Sequence, residues 1–282
     1  MNGPEPDERR RYTMIYLDNA STTGWKPEPV HKAVSQASRN LCVNAGRGSY
    51  ALARDASHML DDLRADLLSL AGLQDDYRVI LTGSATVSLN ELILGLSLDE
   101  WSNVYVSPFE HNAVMRPLHA MAAKSGATLR VLPFDPVTQQ PDLQAVEGLF
   151  VSHPPDYLFL SLVSNVTGLR LPVRDILLLA RPHGCRVILD GAQAFGAISE
   201  DYASLQADAL VFAGHKTLYG PYGSAGLFLR RDWPFPCGLY GGTGSASLSL
   251  SMPDPDSGGW EPGSLNMTAL AGLKAAVQWL KV

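Results

Sequence analysis

Short aliphatic and β-branched runs alternate with helical stretches along most of this chain, and no other feature limits its fold as much. The runs lie at residues 78–82, 103–107, 128–132, 157–163 and 186–190. Strands separated by helices that can cross over a sheet predict a mostly parallel sheet with helices on its faces. The chain is therefore expected to be an α/β protein with a doubly wound sheet.

The helical stretches carry apolar residues at helical spacing. In the longest of them, the apolar residues from Leu52 to Leu70 fall on one face, and Gly72 follows as the expected residue after the helix end. Further helices are predicted at residues 87–98, 113–125 and 176–180, and from Leu265 to the end of the chain. These helices supply the crossovers that a parallel sheet requires.

The later part of the chain departs from this alternation. Two apolar runs, at residues 208–213 and 224–229, are joined by only ten residues. A link of this length is too short for a crossover helix, so the two strands are expected to be antiparallel. Residues 233–263 are rich in Pro, Gly and Ser and predict a long functional loop.

Composition excludes several classes of protein. With 46% apolar and 18% charged residues the chain is not of the disordered type, and a net charge of −6 argues against nucleic acid or a membrane surface as a partner. No apolar run approaches the ~20 residues of a membrane helix. Three widely spaced cysteines favour a reducing, cytoplasmic location. Residues 1–13 are expected to be a disordered tail.

Common phosphate and metal motifs are missing. Residues 214–217 have His215 where a P-loop needs glycine before the lysine, and residues 242–244 lack the third glycine of a dinucleotide-binding fingerprint. There is no zinc-protease motif, no cluster of metal-ligand spacing and no nucleophile elbow. The sequence therefore predicts no metal and disfavours ATP and NAD chemistry.

Two segments at predicted strand ends suggest how a ligand is held. Residues 82–86 combine small and hydroxyl side chains at the start of a helix, which suits an anion site, although an ordinary helix cap has the same composition. His111 follows another strand and is placed to lie flat on an aromatic ligand, or to begin a helix with no further role.

Two more strand ends carry ionisable groups. Asp190 ends an apolar strand with no cation beside it in sequence, so it either pairs with a protonated ring nitrogen or caps the next turn. Lys216 follows the next strand, where a desolvated amine becomes a nucleophile, while a surface lysine in a turn is the alternative. Together the four segments describe a pyridoxal 5′-phosphate (PLP) site, because they supply a phosphate cup, a stacking ring, an acid and a Schiff-base lysine.

The chain resembles the class V aminotransferase family, and within it the cysteine desulfurase and selenocysteine lyase branch. The matching segments are residues 16–23, 82–90, 110–114, 164–168, 190–193, 214–221, 241–244 and 261–266, in family order. This resemblance implies an aspartate-aminotransferase-like PLP fold with a mostly parallel seven-stranded sheet that contains one antiparallel strand.

The resemblance also implies roles for individual residues. Lys216, Asp190 and His111 would be catalytic: Lys216 would hold the cofactor and move the α-proton, Asp190 would pair with the ring nitrogen, and His111 would stack on the ring. The remaining cofactor-binding residues would be Asn165 and Gln193 near the phenolic oxygen, Ala85, Thr86 and His215 at the phosphate, and Thr243 at the phosphate of a neighbouring subunit. The last of these implies a homodimer.

The family pattern further implies a domain division. Residues 14–262 would form the large PLP-binding domain, and residues 263–282 would begin the helix that leads into a small C-terminal domain. Because the chain stops at Val282, that domain is expected to be largely absent. The nucleophilic cysteine and the carboxylate-binding arginine of the family are expected beyond this residue.

The implied activity is that of a cysteine desulfurase, which converts the small amino acid L-cysteine to L-alanine and transfers sulfur to a thiol of the enzyme or of an acceptor protein. Several alternatives share the same site chemistry. They are an aminotransferase, a selenocysteine lyase, an epimerase and a PLP-binding homologue without turnover.

Overall fold

A computed structural model describes residues 15–45, 48, 50–245 and 248–281. The tail predicted at residues 1–13 lies outside these described residues. The strands are β1 (Tyr77–Thr82), β2 (Asn103–Val106), β3 (Thr128–Val131), β4 (Tyr157–Ser161), β5 (Arg186–Asp190), β6 (Ala209–Ala213) and β7 (Ala225–Arg230). Every strand predicted from the sequence is present, with ends that differ by at most two residues.

The strands form one seven-stranded sheet in the order β1-β7-β6-β5-β4-β2-β3. Strand β7 is antiparallel to both of its neighbours, and the other adjacent pairs are parallel. The predicted sheet with one antiparallel strand is therefore confirmed. The short link between β6 and β7 brings Ala213 opposite Ala225, as its length requires.

The helices follow the predicted alternation, with three that the sequence analysis did not name, α1, α5 and the short α7. They are α1 (Glu28–Asn40), α2 (Ala51–Ala71), α3 (Ala85–Leu94), α4 (Asn112–Ser125), α5 (Leu143–Ser152), α6 (Val173–Ala180), α7 (Tyr202–Leu205) and α8 (Met267–Leu280). Helix α2 ends at Gly72, which has the expected positive φ of 65°.

Helix α3 is shorter at its end than predicted. It stops at Leu94 and not at Leu98, and the following Gly95 packs against the loop at Pro236. A Cβ atom at Gly95 would lie 2.0 Å from the Pro236 carbonyl oxygen. This contact between distant segments is invisible to a periodicity argument.

The core has two layers, one on each face of the sheet. Leu158 and Leu160 of β4 belong to one apolar cluster with α2, α5, α6 and α8, while Phe159 of the same strand belongs to the other with α3 and α4. This alternation is that of a strand buried on both faces. No helix in the described part of the chain is long and apolar enough to cross a membrane.

Candidate active site

The carboxyl ends of β4, β5 and β6 and the first turns of α3 and α4 open onto one cleft of about 520 Å³. Its lining includes the predicted cofactor-binding residues Ala85, Thr86, His111, Asn165, Asp190, Gln193, His215 and Lys216. These residues come from distant parts of the sequence. They meet because parallel strands deliver their carboxyl ends to the same edge of an open α/β sheet.

Thr243 is the one predicted cofactor-binding residue outside this cleft. It lines a different cleft, together with Asp61, Arg64 and Glu261. Its hydroxyl group lies 3.1 Å from that of Ser245. The role expected of Thr243 belongs to a second subunit, and it stays a prediction.

Asp190 is the last residue of β5 and is buried. Its Oδ1 accepts a hydrogen bond from the Ala192 amide at 2.9 Å, so the carboxylate does cap the following turn. No other donor among the described residues reaches this carboxylate. Burial raises the Asp190 pKa, and Ala192, Lys216 and His111 counteract part of that rise.

Lys216 lies in the turn after β6 and is half-buried. Burial lowers the pKa of its amine, while the nearby Asp190 raises it. The side chain has no ion pair with any carboxylate of the described residues. A half-buried amine without a close counter-ion has a larger neutral, nucleophilic fraction than a surface lysine.

The backbone of the lysine turn is held by the N-terminal segment before α1. The His215 carbonyl oxygen accepts hydrogen bonds from the Thr22 hydroxyl at 2.9 Å and from the Lys26 ammonium group at 3.0 Å. The Thr23 hydroxyl donates to the Lys216 carbonyl oxygen. This segment includes one of the family-like motifs in the sequence. Its hydrogen bonds to the lysine turn, however, join residues about two hundred positions apart, and no local sequence pattern indicates them.

His111 is the N-cap residue of α4, and its ring is exposed toward the cleft. Its Nδ1 accepts a hydrogen bond from the Ala113 amide at 3.0 Å. In the neutral ring the proton is therefore on Nε2. The histidine begins a helix and also lines the cleft, and its stacking on a ligand ring stays a prediction.

His215 is packed against an aromatic ring next to the lysine. Its imidazole stacks on Tyr222 with ring centroids 4.7 Å apart, and Nδ1 lies 3.1 Å from the Thr22 hydroxyl. Burial, aided by Lys216 and Lys26, lowers the pKa of His215 to about 4. The imidazole is therefore neutral near pH 7 and acts as a hydrogen-bonding group, not as a cation.

The first turn of α3 forms one wall of the cleft. Ser84 is the N-cap and accepts from the Val87 amide at 3.2 Å, while Ala85 and Thr86 follow it along the cleft lining. The positive end of this ten-residue helix faces the cleft and favours an anion there. The opposite wall contains Asn165 and Gln193, the latter anchored to the Ala20 carbonyl oxygen at 2.7 Å.

No cysteine or arginine lines the cleft within the described ranges. Cys42 is exposed but lies elsewhere. Burial raises the pKa of the Cys185 thiol to about 12 and that of the Cys237 thiol to about 11. These two groups stay protonated near neutral pH and are poor nucleophiles.

Sequence reasoning missed one ionisable residue beside the cleft. Glu110 precedes His111, and its carboxyl group is enclosed between the ends of β2 and β4. Its position directly before the predicted stacking histidine was visible in the sequence. That it contacts β4, 51 residues further along the chain, was not.

The fold and cleft agree with comparisons to known proteins. The model of the family "Aminotransferase class-V" matches residues 15–282. A cysteine desulfurase from Klebsiella pneumoniae subsp. pneumoniae is 30% identical in an alignment that covers 95% of this chain and 67% of that protein. A cysteine desulfurase from Salmonella newport is 28% identical with the same coverage.

Solved structures give the same result. The apo structure of a cysteine desulfurase from Thermococcus onnurineus NA1 matches with a TM-score of 0.84 and 26% identity, covering 95% of this chain and 67% of that one. The cysteine desulfurase CsdA from Escherichia coli matches with a TM-score of 0.80 and 28% identity, covering 94% and 67%. The chain belongs to the class V aminotransferase family.

Proposed function

We propose that this chain is a PLP-dependent enzyme that converts L-cysteine to L-alanine and passes the sulfur atom to a thiol. Family membership and the relatives named cysteine desulfurase support the reaction. One structural observation carries the proposal. The half-buried amine of Lys216 and the buried carboxylate of Asp190 line the same cleft and shift each other's pKa.

The residues present fit this cofactor. Asp190 has a buried carboxylate whose one hydrogen-bond donor, among the described residues, is the Ala192 amide, and a protonated pyridine nitrogen would satisfy the rest. The first turn of α3 and the neutral His215 suit a phosphate group. The exposed ring of His111 suits stacking on a pyridine ring.

When bound, the cofactor supplies an electrophilic carbon and a ring that accepts the electron pair released at the substrate α-carbon. Lys216 would hold the cofactor through Nζ and later use the same atom to take and return the α-proton. Asp190 would keep the ring nitrogen protonated. Asn165 and Gln193 would orient the phenolic oxygen, and Ala85, Thr86 and His215 would bind the phosphate.

Sulfur transfer requires a second thiol. One thiol and one L-cysteine give one persulfide and one L-alanine, so no external oxidant or reductant is consumed. Because none of Cys42, Cys185 and Cys237 lines the cleft, we propose that the accepting thiol belongs to an acceptor protein or lies beyond Val282.

We further propose a cytoplasmic homodimer in which Thr243 of one protomer contacts the phosphate bound by the other. In this proposal residues 14–262 act as the cofactor-binding domain. Light scattering of the purified protein should give twice the mass of the chain, and Thr243→Ala should weaken PLP binding without changing the fold. A monomer that binds PLP tightly would contradict the shared site.

The first experiment adds PLP to the purified chain. We expect a visible absorbance band, and reduction with borohydride should attach the phosphopyridoxyl group to the peptide that contains Lys216. Lys216→Ala should abolish both signals, whereas Lys32→Ala, a substitution at an exposed surface lysine, should leave both unchanged. Absence of the band in the wild type at saturating PLP would overturn the proposal.

The second experiment incubates the PLP-loaded protein with L-cysteine and an added dithiol. Alanine and sulfide should form in equal amounts, and omission of the dithiol should slow their release. Formation of a keto acid without sulfide would instead identify an aminotransferase. Release of selenide from L-selenocysteine alone would identify a selenocysteine lyase.

A further inference from the structure

Glu110 lies in the turn between β2 and α4, one residue before His111. Its Oε1 accepts hydrogen bonds from the Ser107 hydroxyl at 2.6 Å and from the Ser161 amide at 2.7 Å. Its Oε2 lies 2.8 Å from the Ser161 hydroxyl. A single side chain therefore joins the turn that carries His111 to the end of β4.

The reason for this arrangement is a gap in the sheet. Strand β2 ends at Val106, opposite Phe159, so it provides no partner for the backbone of Ser161. On its other side, Ser161 is paired in register with Asp190 of β5. The Glu110 carboxyl group thus fills the missing strand position on one side of β4, and Asp190 lies on the other.

The hydrogen bonds of Glu110 accommodate either charge state. The Ser107 oxygen already accepts from the Phe109 amide at 3.2 Å, so its hydroxyl proton is directed to Glu110 Oε1. The bond between Oε2 and the Ser161 hydroxyl can run in both directions, because a hydroxyl group donates and accepts. Glu110 can therefore take up a proton on Oε2 without losing a hydrogen bond.

The charges around Glu110 come from three elements. Asp190 faces it from β5, and Lys216 after β6 and His111 at the start of α4 lie close to Asp190. No cation forms an ion pair with Glu110 within the described ranges. Burial raises the Glu110 pKa to about 7, and repulsion from Asp190 contributes to the rise.

We infer that Glu110 is a positioning residue of the active site: its carboxyl group locks β2 to β4 beside Asp190, and its charge state is coupled to that of Asp190. A proton on Glu110 reduces the negative charge next to the carboxylate that would hold the ring nitrogen. Protonation of Glu110 therefore weakens the preference of the site for a cationic ring. This last consequence rests on the proposed function, whereas the coupling itself is a property of the protein alone.

The coupling is tested on the protein without added PLP. Glu110→Gln is the matched neutral variant, since its amide oxygen accepts from Ser107 and Ser161 and its amino group donates to the Ser161 hydroxyl. The difference in unfolding free energy between wild type and Glu110→Gln, measured against pH, should change slope near pH 7. In an Asp190→Asn background the same change should move to lower pH, because the repelling charge is gone.

A difference curve that is flat across neutral pH, or one that is the same with and without Asp190, overturns the inference. Ser161→Ala provides an independent test if Glu110→Gln does not fold. It removes a donor to the ionised carboxylate, so the Glu110 titration should move to higher pH. If Glu110 has only a structural role, the pH midpoint of this titration should be the same in Ser161→Ala as in the wild type. An unchanged midpoint would therefore contradict the inference.

Titration with PLP then separates the two proposals. The wild-type dissociation constant for PLP should change across neutral pH by about fivefold or more, as for linked sites in general. In Glu110→Gln this pH dependence should disappear. If the wild type binds no PLP, the proposed function is contradicted, and the unfolding data alone then decide whether Glu110 and Asp190 are coupled. PLP binding with the same pH profile in both proteins contradicts the role of Glu110.

Discussion

Two backbone amides of the sheet, one on β4 and one on β1, bond to glutamate side chains instead of to a neighbouring strand. On β4, next to the cleft, Glu110 accepts from the Ser161 amide at 2.7 Å. On β1, the edge strand, Glu261 accepts from the Leu81 amide at 2.9 Å. Both contacts satisfy a donor that would otherwise be left without a partner.

The two glutamates differ in what balances their charge. Arg64 Nη2 donates to both carboxylate oxygens of Glu261, at 3.0 and 2.7 Å, so this glutamate has an ion-pair partner. Glu110 is bound by hydroxyl groups and an amide, with a second carboxylate, Asp190, nearby. Glu261 thus has a cation beside it, whereas Glu110 has only neutral donors, and burial raises the Glu110 pKa.

A third glutamate, which is buried, extends this comparison. Glu91 of α3 is 3% exposed, and its Oε2 has no hydrogen-bond partner in the described structure. Burial, together with repulsion from Glu261, raises its pKa to about 8. Glu91 therefore has neither the cation of Glu261 nor the complete set of hydroxyl and amide donors of Glu110.

The largest effect is expected for Glu91→Gln. The acid is protonated in the folded state up to about pH 8 but loses its proton near pH 4.5 when unfolded. Its contribution to stability is thus present below pH 4.5 and is lost as the pH rises to about 8. In urea unfolding, the stability of the wild type should fall more steeply with pH than that of the variant, by ~1.4 kcal/mol per pH unit. The accumulated difference should reach ~3 kcal/mol by neutral pH.

Parallel stability curves for the two proteins would show that Glu91 is ionised in the folded state. In that case a partner for Oε2 would have to exist, and Glu91 would resemble Glu261. Measurements at several salt concentrations separate this local effect from the titration of surface carboxylates, because salt screens exposed charges most strongly.

A smaller effect is expected for Glu261→Gln. The amide oxygen still accepts from Leu81, but Arg64 loses its charged partner in a position where the two side chains are 27% and 13% exposed. We expect a loss of ~2 kcal/mol in unfolding free energy, less than for a fully buried pair because of this partial exposure.

Asp61→Asn is the matched control for this link. Asp61 also pairs with Arg64, at 3.0 Å, but is 70% exposed. Its substitution should change stability by ~0.5 kcal/mol or less. Equal losses in Glu261→Gln and Asp61→Asn would mean that the contact with β1 adds nothing to an ordinary surface ion pair.

Among the three glutamates, the smallest loss is expected for Glu110→Ala near pH 7. This substitution leaves the Ser161 amide and two hydroxyl groups without their acceptor, which costs ~1–2 kcal/mol. Water admitted by the adjacent cleft limits the loss. Urea unfolding of Glu110→Ala and Glu110→Gln should show the greater loss in Glu110→Ala, and the reverse order would exclude a hydrogen-bonding role for the glutamate.

Much of the fold was accessible to sequence reasoning. Short aliphatic and β-branched runs located all seven strands, and the ten-residue link after β6 predicted its antiparallel pairing with β7. Cleft residues such as Asp190 and Lys216 were also predicted, because each lies at or shortly after the end of an apolar strand and the carboxyl ends of parallel strands share one edge of a sheet.

Contacts between distant segments were not accessible in the same way. Gly95, directly after α3, packs against the loop at Pro236, and the carboxylates of Glu110 and Glu261 accept from backbone amides 51 and 180 residues away. No local sequence pattern indicates such a contact. Each depends on how segments distant in sequence pack together.

The order of polar and apolar residues along the chain was thus enough to specify an α/β sheet and the edge at which its chemistry gathers, because strand and helix periods are local properties. The charge states of the buried carboxylates depended on the folded arrangement. Burial and partners set a pKa, and both arise when segments remote in sequence pack together. For this reason Glu91, Glu110 and Glu261 are the same residue type in the sequence but differ in their burial and in their hydrogen-bond and ion-pair partners in the folded protein.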